Sequence, residues 1–331
     1  MTVKFNNVYV SNAYTIASIY EKDGPIANYF DSIYDNDLYF GCDTFERAEE
    51  KILHDSIDKL MDKSKLKDRD IDYVISGDLQ NQIAASDYAL RKFDIPFLGI
   101  FNACATFGEG LLIGSNFIEG KRASNIIVST SSHNMVAEKQ FRNPTEYGAP
   151  KKKTTTWTST GAASMLITNK KGKIKITSAT AGCVQDKGIT DVNNMGAVMA
   201  IAAADTIERH FNDLKIKPND YDLILTGDLG CYGKEILIDY LKSRGIDISK
   251  NYDDCGLILY DIKKQNVFAG ASGPASSALV LCSYILKEME KGKYKRVLLV
   301  PTGAIFSPTR VFQKDSIPSI AHAIAFEVNE K

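Results

Sequence analysis

The stretch KDRDIDYVISGDL at residues 67–79 returns as KPNDYDLILTGDL at residues 217–229, an offset of 150 residues. Each copy is a polar loop that leads into a short apolar run rich in β-forming residues and ends in a Gly-Asp turn. A second pair, GKRASNIIVST at 120–130 and GKYKRVLLVPT at 292–302, repeats at an offset of 172. The repetition predicts two similar halves, with about 22 additional residues between these landmarks in the second half.

Strands and helices alternate in both halves. The pattern predicts strands at 73–76, 97–101 and 125–129, and at 223–226, 266–269 and 296–300. It predicts long helices at 105–119 and 276–291. Such alternation is typical of βαβ units with parallel pairing, so the fold class is α/β, with two pseudo-twofold-related βαβ halves at 1–170 and 171–331.

The two long helices are apolar or small-residued on every side. In 105–119, Leu111 and Phe117 alternate with Gly108, Gly110 and Gly114. A helix without a polar face must be buried on all sides. We expect layered sheets around these helices, which pack against each other across the pseudo-twofold axis through their small residues.

Composition excludes several functional classes. The 331 residues are 44% hydrophobic and 24% charged, as in ordinary globular proteins. With 40 basic and 41 acidic residues the net charge is -1, so no overall field attracts nucleic acid or an anionic bilayer. The six cysteines form no C-x-x-C pair, which argues against zinc or a disulfide framework. Because the first residues lack an apolar core and no apolar run approaches 20 residues, we expect neither a signal peptide nor a transmembrane segment.

Cys104 lies where a predicted strand leads into the first buried helix. Free N–H groups and the helix dipole stabilise an anion there, which lowers the pKa of a thiol or binds a carboxylate ligand. The alternative is an inert cysteine in the core. By the offset of 172, its counterpart is Ser276.

The segment FNACATFGEGL at 101–111 resembles the nucleophile segment of the thiolase and ketoacyl synthase superfamily, which implies a thiolase-like fold. Most of the chain also resembles the stage V sporulation protein AD family. The matching segments include EKDGPIANYFD at 21–31, GDLQNQ at 77–82, STSSHN at 129–134, EKQFRNPTEYG at 138–148, GITDVNNMG at 188–196 and IPSIAHAIAFE at 317–327.

The resemblance also shows what a condensing enzyme would need and this chain lacks. Enzymes of the superfamily pair the cysteine with two histidines, or a histidine and an asparagine, from the second half. The matching places hold Asp228 and Ser272. An aspartate beside a thiolate opposes the chemistry through its charge.

Other polar residues are candidates for binding a small acid. His133 is either a base or carboxylate ligand, or a histidine that bonds loop backbone. Arg142 offers a planar fork for a carboxylate, or pairs with a surface glutamate. The predicted ligand-binding residues are Cys104, His133, Arg142, Tyr147, Asp78, Asp228, Ser272 and His322, although a packed strand histidine is the simpler interpretation of His322. Cys104 and His133 are the catalytic candidates if activity remains.

The family resemblance implies a sporulation protein that binds dipicolinic acid, free or as its calcium chelate, and supports its uptake into the forespore. It implies a peripheral place on the cytoplasmic side of the spore inner membrane, beside other proteins of the spoVA membrane complex. We expect no cofactor, metal site or nucleic-acid partner, and the superfamily resemblance implies a homodimer through the first-half sheet. The alternatives are a Cys104-dependent acyltransferase and a module that only docks to the membrane complex.

Overall fold

The computed structural model describes residues 1–141 and 151–329. Its first strands are β1 (Thr2–Lys4), β2 (Tyr9–Ser18), β3 (Ser32–Tyr34), β4 (Tyr73–Gly77), β5 (Phe97–Gly99), β6 (Asn125–Ser132), β7 (Trp157–Thr158) and β8 (Gly161–Thr168). The later strands are β9 (Ile174–Thr180), β10 (Leu223–Thr226), β11 (Tyr252–Asp254), β12 (Ala271–Ser272), β13 (Arg296–Val300), β14 (Thr302–Ala304), β15 (Ser319–Ala321) and β16 (Ala323–Val328). The helices are α1 (Ile19–Lys22), α2 (Phe45–Ser64), α3 (Ala84–Leu90), α4 (Thr106–Glu119), α5 (Asn134–Phe141), α6 (Met195–Leu214), α7 (Gly230–Ser243), α8 (Cys255–Leu259), α9 (Pro274–Leu279), α10 (Leu286–Glu290) and α11 (Pro308–Phe312).

Two half-sheets of the same order form the centre of the molecule. The first runs β5-β4-β6-β8-β2 and the second β11-β10-β13-β16-β9. They join where β2 pairs with β9 at Tyr9 and Val10, so the sheet is continuous rather than two separate sheets. The two-half α/β architecture predicted from the repeat is confirmed. The boundary proposed between residues 170 and 171 falls in the turn from β8 to β9 and stays a prediction.

The repeat extends to individual hydrogen bonds. The Asp72 carboxylate accepts the backbone N–H of Asn125 at 2.9 Å, and Asp222 accepts that of Arg296 at the same distance. Each contact fastens the loop before one parallel strand to the start of the next. The sequence similarity therefore reflects the same loop-to-strand contact in both halves.

Helices cover both faces of the sheet. In β6, Ile126 and Val128 pack into the central core with α4 and α9, whereas Ile127 packs outward against α2. Strand β13 alternates in the same way between the central core and α6. Since successive strand residues point to opposite faces, strands buried on both sides become continuous apolar runs.

The glycines of α4 serve a different contact from the one expected. A Cβ at Gly110 would lie 2.7 Å from the Val128 side chain, and one at Gly114 would lie 2.9 Å from that of Ile167. Both neighbours belong to the sheet. The small residues therefore let α4 approach the strands, not its partner helix.

The predicted strand at 266–269 is wrong. Phe268 takes a left-handed conformation, with φ of 57°, which a β-strand does not allow. The third parallel strand of the second half is β11, where Tyr252 pairs with Ile224 of β10. It lies inside the stretch of additional residues that the two offsets indicated.

The central core makes a testable contribution to stability. Leu111 is fully buried, whereas its neighbour Leu112 on the same helix is half-buried. We expect Leu111→Ala to lower the free energy of unfolding by about 2–5 kcal/mol, because the deletion leaves a cavity that the surroundings cannot fill. Leu112→Ala is the matched control, with a loss of about 1 kcal/mol. Denaturant unfolding measures both, and equal losses would contradict the assigned burial.

Candidate functional site

A cavity opens at the carboxyl ends of the parallel strands of both halves. Its volume is about 820 Å³ including the open mouth. Its apolar wall includes Leu79, Phe101, Phe141, Met195, Met199 and Phe306. Its polar side chains include Cys104, Thr156, Thr158, Asn193, Asp228 and Ser272. The cavity therefore joins a mainly apolar wall to one cluster of polar groups.

A tight turn places Cys104 in this wall. Ala103 is left-handed, with φ of 49°, and the next residues start α4. The Thr106 hydroxyl fixes the turn, since it accepts the N–H of Asn102 at 3.0 Å and donates to the carbonyl of Ala103 at 2.7 Å. A side chain at Gly77 would lie 1.9 Å from a backbone carbonyl of the same turn. Local sequence thus holds the thiol at the helix start.

Asp228 lies beside the thiol, at the end of β10. Its carboxylate accepts the N–H of Gly273 at 3.1 Å and the hydroxyl of Thr302 at 2.9 Å, and it interacts with the side chain of Cys104. Burial, together with the nearby Asp254, raises the pKa of Asp228 to about 7. The carboxyl group is therefore poised to change its charge near neutral pH.

Of the two interpretations of Cys104, a thiol with a lowered pKa and an inert cysteine in the core, the structure favours the second. Burial and the adjacent Asp228 carboxylate raise the pKa of the thiol well above its usual range. These effects outweigh the N–H groups at the helix start, because a thiolate would be poorly hydrated and would meet a second negative charge. Near neutral pH the sulfur is a protonated thiol.

Ser272, not Ser276, is the structural counterpart of Cys104. Each lies two residues before the first residue of its helix, α4 or α9. The continuous helix from Pro274 to Glu290 has 17 residues, three more than α4, and contains a π-helical segment at Val280–Ile285. The offset of 172 comes from residues that follow this helix. Because the two helices differ in length, the same offset does not match the residues at their starts. Ser276 instead donates its hydroxyl to the carbonyl of Gly227.

Asp78, the repeat partner of Asp228, does not line the cavity. Its two carboxylate oxygens accept the N–H groups of Gln80 and Ser86, each at 2.8 Å. Burial raises its pKa, and burial with Asp78 as neighbour raises the pKa of Glu49 to about 8. The two Gly-Asp turns have thus diverged, one holding its own loop and the other facing the thiol.

His133 lies away from the cavity wall. Its Nδ1 accepts the N–H of Met135 at 3.2 Å, so Nε2 carries the proton and donates to the carbonyl of Leu38 at 2.8 Å. The ring is 1% exposed, and burial lowers its pKa to about 4. Both ring nitrogens bond the backbone, which favours the second interpretation of His133, a histidine that bonds loop backbone, over a base or carboxylate ligand.

Of the remaining candidates, His322 lies within the described residues, whereas Arg142 and Tyr147 do not. His322 accepts the N–H of Gly182 at 3.2 Å and lies 3.0 Å from the amide of Asn102, and burial lowers its pKa to about 4. It packs behind the Cys104 turn rather than in the cavity wall. Arg142 and Tyr147 lie outside the described residues, so their roles stay predictions. Sequence reasoning missed Met195 and Met199, in the first turns of α6, and Phe306, in a loop, since apolar residues carry no signal that distinguishes a cavity wall from the core.

The described part of the site combines the Cys104 thiol with the carboxyl groups of Asp228 and Glu138 and the hydroxyls of Thr156, Thr158 and Ser272; Glu138 is paired with Lys151 at 2.9 Å. No histidine is among the described residues lining the cavity, and no group of three metal-ligating side chains occurs within 1–141 and 151–329. The amide of Asn193 does line the cavity. Without an imidazole at the sulfur, the described groups suit hydrogen bonding to a ligand better than thiolate chemistry.

A family model described as stage V sporulation protein AD matches residues 1–327. The chain belongs to the stage V sporulation protein AD family. The stage V sporulation protein AD of Bacillus subtilis (strain 168) is 46% identical over 320 residues, which cover 97% of this chain and 94% of that protein. The family assignment thus covers both halves and the whole cavity.

Solved structures show the same fold at low sequence identity. A crystal structure of Xanthomonas campestris OleA aligns with a TM-score of 0.59 and 16% identity, covering 98% of this chain and 99% of that one. The 3-oxoacyl-(acyl carrier protein) synthase III of Xanthomonas oryzae pv. oryzae aligns with a TM-score of 0.58 and 14% identity, covering 99% and 100%. The thiolase-like fold is confirmed, and at this identity the likeness extends to the fold alone.

The pairing of Cys104 with Asp228 predicts a measurable reactivity. We expect Asp228→Asn to lower the pKa of the Cys104 thiol and to speed its alkylation by iodoacetamide above pH 7 by roughly tenfold, because the opposing charge is removed. Peptide-resolved mass spectrometry separates Cys104 from the other cysteines. Asp78→Asn, which changes the repeat partner outside the cavity, is the control. An unchanged rate in Asp228→Asn would show that the carboxylate does not influence the sulfur.

Proposed function

We propose that this chain binds dipicolinic acid in the cavity beside Cys104 and supports its uptake into the forespore. The observation that carries the proposal is the position of the Asp228 carboxyl group, which lines the cavity beside the Cys104 thiol at the place where a condensing enzyme of this fold needs an imidazole. Family membership supports a role in sporulation. A cavity at this position whose thiol has a raised pKa supports ligand binding over catalysis.

The cavity has complementary groups for a flat diacid. A protonated Asp228 donates a hydrogen bond to a ligand carboxylate, and the hydroxyl of Ser272 and the thiol of Cys104 are further donors beside it. Phe101, Phe141 and Phe306 offer apolar surface to a pyridine ring. A planar acid with one apolar face therefore suits this wall.

Binding should depend on pH through Asp228. Both carboxylic acids of dipicolinate are ionised above pH 6, so the ligand is a dianion throughout the relevant range. Above pH 7 the ionised Asp228 repels it and a proton must be taken up, so we expect affinity to fall by roughly tenfold per pH unit. Below pH 7 the affinity should level off.

Calorimetric titration with dipicolinate at several pH values tests this dependence. Asp228→Asn places a neutral side chain of the same shape there, so its affinity should stay nearly constant across the same range. Asp78→Asn should keep the wild-type profile. A wild-type affinity that does not change with pH would remove Asp228 from the site, and absence of saturable binding would end the ligand proposal.

The loop candidates need a separate titration. We expect Arg142→Ala to weaken dipicolinate binding by roughly tenfold or more, because a charge-assisted pair to a carboxylate is lost, and Tyr147→Ala to weaken it less. Lys153→Ala is the control in the neighbouring basic run. Unchanged affinity in both loop variants would exclude them. His133→Ala should reduce stability and leave affinity unchanged, because its ring bonds only backbone.

Acyl transfer is a second candidate, because a thiol in an apolar cavity is where an acyl chain would attach. The sulfur would attack a thioester carbonyl, and the coenzyme A thiolate would leave and take up the thiol proton. Mass spectrometry after incubation with acyl-CoA thioesters decides the matter. A Cys104 adduct that turns over favours catalysis, and its absence favours binding alone.

We further propose a peripheral position on the cytoplasmic side of the spore inner membrane, with the other proteins of the spoVA membrane complex, and a homodimer through the first-half sheet. No helix within the described residues has the length and apolar character of a bilayer span. Strand β5 ends the first half-sheet, and within the described residues no strand pairs with its outer edge, to which a second copy could add. Co-purification in detergent with those proteins, and light scattering for the dimer, would test these proposals.

A further inference from the structure

A basic groove lies at the end of the sheet opposite the cavity. It is formed by the end of α2, the turn from β8 to β9 and the end of the helix that closes with α10, and its volume is about 1240 Å³ including the open mouth. Its charged lining consists of Lys63, Lys170, Lys171, Lys173, Lys287 and Glu290. We call this surface the basic groove.

The groove carries a strong local charge in a nearly neutral chain. Five lysines against one glutamate give a local charge of +4, although the whole chain has a net charge of -1. Lys173 donates to the backbone carbonyl of Glu290 at 2.6 Å, and Lys287 donates to that of Tyr29. A carbonyl satisfies the ammonium hydrogen bond without cancelling its charge, so the positive potential remains. Among the residues that the structure describes, Lys63 is the one groove lysine with an ion pair, to Asp31 at 3.1 Å, which offsets one of the five positive charges.

Helix ends do not account for this concentration. Lysines near the last turns of α2 and α10 complement the helix dipoles, which explains Lys63 and Lys287 individually. Lys170, Lys171 and Lys173 are exposed in a turn between two strands, where no helix ends. Three like charges in one short turn repel each other, so an external anion is the simplest reason for their placement.

We propose that the basic groove is the surface by which this protein docks on an anionic membrane. All five cations are lysines, whose compact hydrated charges suit the non-directional field of a fluid lipid surface, whereas base or phosphopeptide recognition favours the planar fork of arginine. Clusters of about four to eight basic residues are typical of proteins that bind anionic lipids peripherally. The inference rests on the peripheral location proposed above and is independent of the ligand.

The groove and the cavity are separated by the full length of one strand. Strand β6 begins at Asn125 in the groove and ends at Ser132, whose hydroxyl lies 2.8 Å from where a Cβ of Gly273 would be. The seven intervals between the eight residues of β6, at about 3.3 Å each, place the two sites roughly 23 Å apart. Changes in the groove should therefore leave the cavity intact.

Vesicle binding of two matched double variants tests the proposal. Full-length protein is mixed with phosphatidylcholine vesicles, with and without phosphatidylglycerol, and the bound fraction is measured by sedimentation. We expect binding only to the anionic vesicles, weakened by salt, and reduced on the order of tenfold or more in Lys170→Glu/Lys171→Glu. Lys263→Glu/Lys264→Glu changes the net charge equally in an exposed loop outside the groove and should bind within about twofold of wild type.

Several results would overturn the assignment. Wild-type protein that ignores anionic vesicles, or equal loss in the two variants, excludes the groove as a membrane surface. Capture on a poly-glutamate resin without vesicle binding would assign it to an acidic protein instead. Dipicolinate titration of the wild-type protein separates the two proposals: ligand binding without vesicle binding contradicts only the docking surface, and vesicle binding without ligand binding contradicts only the ligand proposal. Circular dichroism and the same titration of the two double variants check that their fold and cavity are intact.

Discussion

Burial of the apolar faces of two interior helices is the constraint from which the rest of the structure follows. Helix α4 and the helix that begins with α9 can only be satisfied between the two half-sheets, and this packing brings both helix starts to the same end of the molecule. Cys104 lies before one start and Ser272 before the other. The cavity is thus the place where two interior helices begin, and its polar groups come from both halves.

At that place electrostatics separates this chain from a condensing enzyme. A nucleophilic thiol needs a nearby cation or base, and here the neighbour is Asp228. Desolvation and like charge both favour the protonated forms of the pair. The same arrangement that disfavours a thiolate provides neutral hydrogen-bond donors, so both effects have a single physical cause. The fold alone would not have predicted either effect.

The sequence predicted the architecture well because the repeated residues are those that form the strands and fasten the loops between them. Asp72 and Asp222 fasten equivalent loops, and the apolar runs of β6 and β13 follow from burial on both faces. Long-range placement was less accessible. His133 follows a strand that ends near the cavity, yet its ring turns to the backbone at Leu38, which no local pattern indicates. The pKa of Cys104 also required knowledge of its spatial neighbour, because the helix start alone suggested the opposite sign.

The π-helical segment within the second interior helix affects how the contacts at the two ends of this helix stay equivalent to those of α4. Each residue added to an α-helix rotates everything beyond it by about 100°. The π-helical turn at Val280–Ile285 holds more residues than an α-helical turn. The two ends of this helix can therefore keep their contacts although it has more residues than α4. A change in the number of residues in a buried helix usually disrupts its packing. Here the π-helical segment accommodates the change, so the side chains at the helix start keep their orientation.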